Sequence, residues 1–535
     1  MCLANLCHMN AAATDRPSRA ALAGRVARGL LAQLMSAADG YRLVAWVFVR
    51  LLALVYLAAF TSLAVQIEAL AGSQGIYPIA EQLASAAEAH GDLRHLLYPS
   101  LFWLASGDAA LLAAGWGGAV LALLLLMAPW LPWRHIELPV LILLYLLYLS
   151  LYHAGQFFTN FQWDYLLLET GFLAILLPGG SRLVVWLFRW LLFRLRFESG
   201  LSKILSGDAG WRDLTALETY FETQPLPHVG SWYANQLPDW LLRLGTGGTL
   251  VVELVVPFFI FLPRPWRLVA AWVTILWQVL IILTSNHNFF NLLTIVLCLF
   301  LLDDQAIARV VPKPWQRRAF SGPLLPQRPR RWMAATVLSL ALVLIPASLI
   351  AGAELVTARA VGPMSGWVRG LNGFRVANRY HVFPTVERER IELQIEASAD
   401  GRHWQALDFR YRPDDPSQAP RFVVPHQPRV DWMLWFTPMS PLFLDWLDRF
   451  LNRLLEASPS VTGLLEHPPT GAERPRLLRV LVYRYRFSTR RERSASGRWW
   501  QREALGPFYP LPVTGSRPDG HWDAANPAPG NSPRP

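Results

Sequence analysis

Asp164 and Glu169 lie in a run, FQWDYLLLETGFLAILL, that is otherwise fit for lipid. A charged side chain at the centre of a membrane helix costs about 2.5–3.5 kcal/mol on insertion scales, so partners are expected for both. His153, Gln156 and Asn160 stand just before them, across one span end and a short connector. A second polar stretch, SGLSKILSGDAGWRDLTALETYFETQPLPHVGSW, carries Lys203, Asp208, Arg212, Glu218 and Glu222. The expectation is that the two stretches meet as a polar site at a membrane boundary, with His287 beside them. Asp164 and Glu169 would bind a headgroup, a proton or a substrate there; alternatively, such groups satisfy one another and cap helices, which is the reading for Gln156 and Asn160. Lys203, in an apolar-flanked turn, is a candidate general base once desolvated. The plainer role, snorkelling to phosphate or pairing with a carboxylate, stands ahead of it.

Two further stretches carry polar groups. In TSNHNFFNLLTI, Asn286, His287, Asn288 and Asn291 sit at the mouth of a span, where helix capping by the asparagines is expected. A lone histidine is too little for a metal, which wants three or four ligands, so no metal site is expected. In PHQPRVDWMLWF, Arg429 and Asp431 flank Val430; on an extended stretch they share a face and would form a charge-assisted pair that pins the following domain to the membrane part. Trp432 and Trp435 follow the pair. No phosphate loop, nucleophile elbow, zinc-helix motif or dinucleotide fingerprint is present, and no cofactor is expected.

The elements that must position these groups are membrane helices. At 53% hydrophobic and 16% charged, with a mean hydropathy of +0.26, the 535 residues exceed the apolar content of a soluble chain. The predicted fold is a polytopic α-helical membrane bundle of about nine spans, followed by a small, mostly antiparallel β extramembrane domain. The spans are 43–67, 107–127, 136–153, 163–178, 183–197, 244–262, 267–285, 287–302 and 332–352. Arg and Lys cluster in alternate connectors and in 309–331, which places the N-terminus in the cytoplasm and the C-terminal domain outside. The net charge of +11 is met by anionic headgroups, so the bilayer is a partner and nucleic acid is not. Residues 1–42 read as a basic amphipathic arm on the cytoplasmic leaflet, 43–352 as the helical domain with an external loop at 198–243, 353–505 as the β-rich domain, and 506–535 as a disordered tail. Ile391 to Ala397, Leu407 to Tyr411 and Leu481 to Phe487 alternate with period two and predict half-buried strands, with a tight turn at Asp400-Gly401. Phe443, Leu447, Phe450 and Leu454 predict an amphipathic helix. Cys2, Cys7 and Cys298 offer neither a disulfide framework nor a thiol redox pair.

Five ordered blocks resemble the lipase maturation factor family: FFTNFQWDYLLLETGFLA, SGDAGWRDLTALETYFETQPLP, NHNFFNLLTIVLCLFLLDD, the ERERIELQIEASADGRHW region and PHQPRVDWMLWF. Where the family tends to have Tyr-Gly-Leu-Phe, this chain has Tyr380-His381-Val382-Phe383. The resemblance implies an endoplasmic-reticulum membrane protein in animals that helps secreted lipases fold and assemble. For this Arg- and Ala-rich chain it implies a chaperone-like role in a bacterial inner membrane, with an exported client of the lipase type met on the periplasmic face and Arg429, Asp431, Trp432 and Trp435 as the candidate client-binding residues. Gly200, Lys203, Asp208 and Trp211 are also similar to a segment of the vitamin-K-dependent gamma-carboxylase, whose lysine is a base. The alternative function is therefore an integral-membrane enzyme acting on a lipid or quinone, with Lys203 as base and Asp164 or Glu169 nearby.

Overall fold

The computed structural model describes residues 29, 31–132, 135–322, 324–326, 331–357, 364–469, 475–508 and 513–514. Most of the expected N-terminal arm lies outside them. The bundle opens with α1 (Arg42–Ala64) packed on α2 (Asp108–Met127). Their close approach rests on glycine. A Cβ at Gly118 would stand 2.2 Å from the Phe60 ring, and one at Gly115 would stand 2.8 Å from the Ala64 Cβ. Small residues at such a contact let backbones approach where apolar burial alone supplies no drive. There follow α3 (Glu137–Ala154), α4 (Gln162–Ile175) and α5 (Arg182–Leu205). The connector helices α6 (Ala216–Thr223) and α7 (Val229–Asn235) come next. Then come α8 (Asp239–Leu254, continued as a 3-10 turn to Phe261), α9 (Arg264–Thr284), α10 (Phe290–Leu297, continued to Leu301) and α11 (Arg331–Thr357).

Among the described residues, six helices are long and apolar enough to cross a membrane: α1, α2, α3, α8, α9 and α11. The other three expected spans fall short for physical reasons. With 14 residues, α4 is short, and it holds Asp164 and Glu169 buried. Length is not what α5 lacks, at 24 residues, but it carries Arg189, Arg194, Arg196, Glu198 and Lys203 buried along it. The Phe290–Leu301 stretch is short. All three sit among other helices, so neighbouring side chains rather than lipid surround them.

These three nonetheless run between the same two ends of the bundle as the longer helices. At one end Arg50 pairs with Glu137 at 2.5 Å, Ala37 bridges Ser181, and Asp304 accepts the backbone N–H groups of Arg42 and Val44. There Arg189 also donates to the Phe300 carbonyl at 3.0 Å, and Gly179 lies against Val337. At the other end the tails of α1, α3 and α5 and the start of α4 meet the C-terminal region.

That region contains β1 (Arg390–Ser398), β2 (Gln405–Ala406), α12 (Arg429–Phe436), α13 (Leu444–Leu455), β3 (Leu477–Phe487), β4 (Trp500–Pro507) and β5 (Val513–Thr514). The sheet runs β2-β1-β3-β4, antiparallel throughout, with β5 beside the start of β3. Gly401, at φ +73°, takes the left-handed position in the β1–β2 turn. Leu447, Phe450 and Leu454 of α13 are fully buried in a core shared with the bundle, as their spacing predicts.

Several expectations shift. The polar alternates of β1 are not solvated: Glu392 and Gln394 are buried, because other segments cover that face as well. Leu407 to Tyr411 follows β1 only through the Leu407 N–H bond to the Ile395 carbonyl at 2.9 Å and then bridges Phe409 to Leu465. Its backbone is drawn elsewhere, the Phe409 N–H to Asp414 at 2.7 Å and the Tyr411 N–H to Asp431 at 3.0 Å. The connector expected from 198 begins after Leu205, where α5 ends, and α11 continues past 352 to Thr357. Strand β4 carries order past 506 to Pro507, and β5 adds a further pair beyond it; residues 515–535 of the expected tail lie outside the described set.

Candidate functional site

The sequence PHQPRVD enters the bundle as a plug. Arg429 has no exposed surface, and neither has Asp164 at the start of α4. Two guanidinium nitrogens of Arg429 donate to the two carboxylate oxygens of Asp164 at 2.6 and 2.7 Å, and Nη1 also reaches the Phe158 carbonyl at 2.8 Å. Tyr148 donates its hydroxyl to the same carboxylate at 2.7 Å. The tail of α1 grips the segment from the other side. Gln66 accepts the Arg429 N–H at 2.9 Å and donates to the Gln427 carbonyl at 2.7 Å, while Ser62 accepts the Gln427 N–H at 2.9 Å. His426 lies against the Ser62 hydroxyl at 2.9 Å, and burial pushes its pKa down to about 4, so it is neutral at neutral pH. Asn288 donates to the Gln427 side chain at 2.8 Å. The pinning expected of Arg429 is present, but its partner is Asp164. Asp431 instead accepts the Tyr411 N–H, because residues 429–436 form a helix rather than an extended stretch.

A second segment, 373–388, runs along the bundle in the same manner. Glu169 pairs with Arg194, and it accepts from the Asn378 side chain at 2.9 Å and the Tyr380 hydroxyl at 2.9 Å. Glu198 accepts the Tyr380 N–H at 2.9 Å. His153 faces the Gly373 carbonyl at 2.9 Å, and Asn160 accepts from Tyr152 at 2.7 Å and Arg375 at 3.4 Å. Lys203 pairs with Glu253 of α8 at 2.7 Å and donates to the Val382 carbonyl at 2.6 Å. Asp208 accepts the Val386 N–H at 2.8 Å. The polar residues read from sequence are thus brought together along one seam, but in separate pairs. Lys203 does not meet Asp164 or Glu169; Glu253 takes it. Arg212 stands outside the seam, 71% exposed and paired with Asp213.

Above the seam the sheet domain adds its own buried charge. Arg390, fully buried, donates to the carbonyls of Glu222 at 2.9 Å and Pro225 at 3.0 Å and pairs with Glu392, which Arg412 also binds at 2.5 Å. Burial raises Asp414 to about 7 and Asp431 to about 6, against the pull of Arg412. Sequence reasoning passed over Gln66, Glu198, Glu253, Asn378, Arg390 and Glu392. Glu253 was visible as a lone carboxylate in LVVELVV, the same signal that marked Glu169. Glu392 was hidden because alternation assigned it to a wet face.

A cavity of about 650 Å³ lies in the seam between the start of α4, the 372–387 segment and α12. Trp432 and Trp435 line it, and both are buried. Trp432 meets Trp163 edge-on at 5.2 Å, and Trp435 donates its indole N–H to the Thr223 carbonyl at 2.8 Å. Together with Arg429 and Asp431 they are buried at the internal joint. His287, bonded to the Tyr220 hydroxyl at 2.7 Å, and Phe383 form a wall of this cavity and of a second one. Among the described residues no group of three or more His, Cys, Asp or Glu is placed to hold a metal ion.

Both halves of this joint match one family. Residues 43–309 match the lipase maturation factor transmembrane domain, and residues 376–510 match the lipase maturation factor C-terminal domain. The chain belongs to the lipase maturation factor family. Lipase maturation factor 1 of Bos taurus is 33% identical over 91% of this chain and 91% of its own length. Lipase maturation factor 2 of Homo sapiens is 33% identical over 88% of this chain and 83% of its own, and that of Rattus norvegicus is 32% identical over 86% and 82%. No solved structure matches. In this member of the family, the transmembrane and C-terminal domains are joined by the Asp164–Arg429 pair and its flanking hydrogen bonds.

Proposed function

We propose that this protein is a membrane-anchored maturation factor that assists the folding and assembly of exported, lipase-type clients. In this reading it has nine spans in a bacterial inner membrane, its N-terminus is cytoplasmic and its sheet domain faces the periplasm. Support for the topology comes from the run of α4, α5 and α10 between the same two ends as the six long helices, and from the arginine-rich connectors gathered at the end opposite the sheet. Client contact falls to the exposed surface of the sheet domain, since the tryptophans of α12 are buried. The observation that carries the reading is the fully buried Asp164–Arg429 pair, which fixes that domain on the bundle as a rigid platform. Lys203, held by Glu253 and the Val382 carbonyl, supports a structural rather than a basic role.

The test is made in the native host. Deleting the gene and restoring it as wild type or as Arg429→Met compares the specific activity of exported lipases with the amount of lipase polypeptide. Removing one partner of a buried pair costs about 3–5 kcal/mol. The expected result is a several-fold loss of specific activity in the deletion strain, recovered by wild type and not by Arg429→Met. Unchanged specific activity in the deletion strain refutes the client reading.

A further inference from the structure

The second cavity, about 540 Å³, lies between α6, α8, α9 and the α5 tail and is lined mainly by leucines and aromatic side chains, with Gly245 and Gly248 among them. Its mouth is on the lipid-facing flank. Leu244 and Leu280, both lining residues, are 65% and 44% exposed, and α8 and α9 are among the helices long and apolar enough to cross a membrane. Glycine keeps the space open: a Cβ at Gly248 would come within 2.7 Å of the Trp277 ring.

The inner end of the cavity is polar and incompletely satisfied. Asn291 donates to Gln278 at 2.7 Å, and both side chains are almost fully buried. The remaining amide atoms, Gln278 Nε2 and Asn291 Oδ1, have no hydrogen-bond partner among the described residues. Nor has Nε of the buried Arg196. Leaving such groups unmatched is costly, and a ligand that accepts hydrogen bonds recovers the loss at the two donors, Gln278 Nε2 and Arg196 Nε. Charge decides the ligand class. The lining holds the cations Arg196 and Lys203 against the single carboxylate Glu253, which contacts both, at 3.3 and 2.7 Å. One positive charge is left over at the closed end of an apolar slot, and pockets of this size suit small amphiphiles.

We propose that this cavity is a binding site for a single-chain amphiphile with a monoanionic head, a long-chain fatty acid. Its carboxylate accepts hydrogen bonds from Gln278 and Arg196 and balances the surplus cation, and its chain leaves between α8 and α9 towards the bilayer. Neutral amphiphiles fill the same slot without meeting the charge.

The test uses the full chain in phosphatidylcholine nanodiscs with an oleic acid carrying a photoreactive diazirine in its chain. The expected result is saturable labelling mapped by mass spectrometry to α8 and α9 around the cavity. Oleate should compete about tenfold better than oleyl alcohol or a short-chain quinone, a difference of roughly 1.4 kcal/mol. The paired replacement Gln278→Leu with Asn291→Leu, and separately Gly245→Phe to fill the slot, should each weaken labelling about tenfold or more. Unsaturable labelling spread over the lipid-facing flanks of α2 and α9 overturns the site. Equal competition by the alcohol or the quinone overturns the anionic head.

Discussion

Arg429 and Asp164 lie 265 positions apart in sequence and form a two-pronged bond with no exposed surface on either side chain. Such a pair is costly to desolvate and costlier to break, so its measurable signature is coupling rather than a single loss. Asp164→Leu and Arg429→Leu should each destabilise the detergent-solubilised protein by about 3–5 kcal/mol, and the double variant by clearly less than their sum. Additive losses in thermal unfolding would mean that the pair does not hold the joint. Sequence position alone flagged Asp164 and Glu169, because a carboxylate in an apolar run demands a partner. It did not pair them with Arg429 or Asn378, because each partner arrives from a distant segment and no local spacing encodes it. Asp414 offers a separate check. Burial keeps its proton in the folded state up to about pH 7, whereas the unfolded chain releases it near 4, so the folded state loses stability as pH rises between those values. Asp414→Asn has no proton to lose, and its stability relative to wild type should climb across that window by up to about 1.4 kcal/mol per pH unit, then level off. A difference between the two proteins that stays flat from pH 4 to 7 would show that the carboxyl is not held protonated.

At the scale of elements, patterns that depend on one face were legible and patterns that depend on context were not. The helical spacing of α13 survives because it buries a continuous apolar row, whereas β1, for all its alternation, is buried on both faces and the buried side of β3 switches from Leu478 and Val480 to Tyr485 and Phe487 across the irregularity at Val482 and Tyr483. The run from Leu407 to Tyr411 has the same alternation, yet Asp414 and Asp431 capture its N–H groups and Arg410 turns to the carbonyls of Gly463 and Leu465. Span assignment from apolar length agrees with the six long apolar helices and also took in α4, α5 and α10, whose surroundings are protein, the charges of α4 and α5 being paired internally. The α1–α2 contact is the most local packing claim. Gly118→Leu would drive its side chain into Phe60, and overpacking of this kind costs about 1–3 kcal/mol or more. It should lower the melting temperature, whereas Gly117→Leu, with open space around its Cβ position, should leave it nearly unchanged. Equal effects of the two would place the helices further apart than described.

For the whole molecule, charge and packing point the same way: arginine-rich connectors gather at one end of the bundle, and at the other the sheet domain shares the bundle's core. Family membership accounts for a membrane domain and a C-terminal domain; the buried seam explains why they act as one body. The most direct test is the side of the membrane on which that body stands. With Cys2, Cys7 and Cys298 replaced by alanine, single cysteines are introduced as Arg402→Cys in the sheet domain and Lys313→Cys in the arginine-rich connector, both at exposed positions. A membrane-impermeant maleimide applied to cells with only the outer envelope opened should label position 402 and spare position 313 until the inner membrane is broken. Labelling of 313 with protection of 402 would contradict the account.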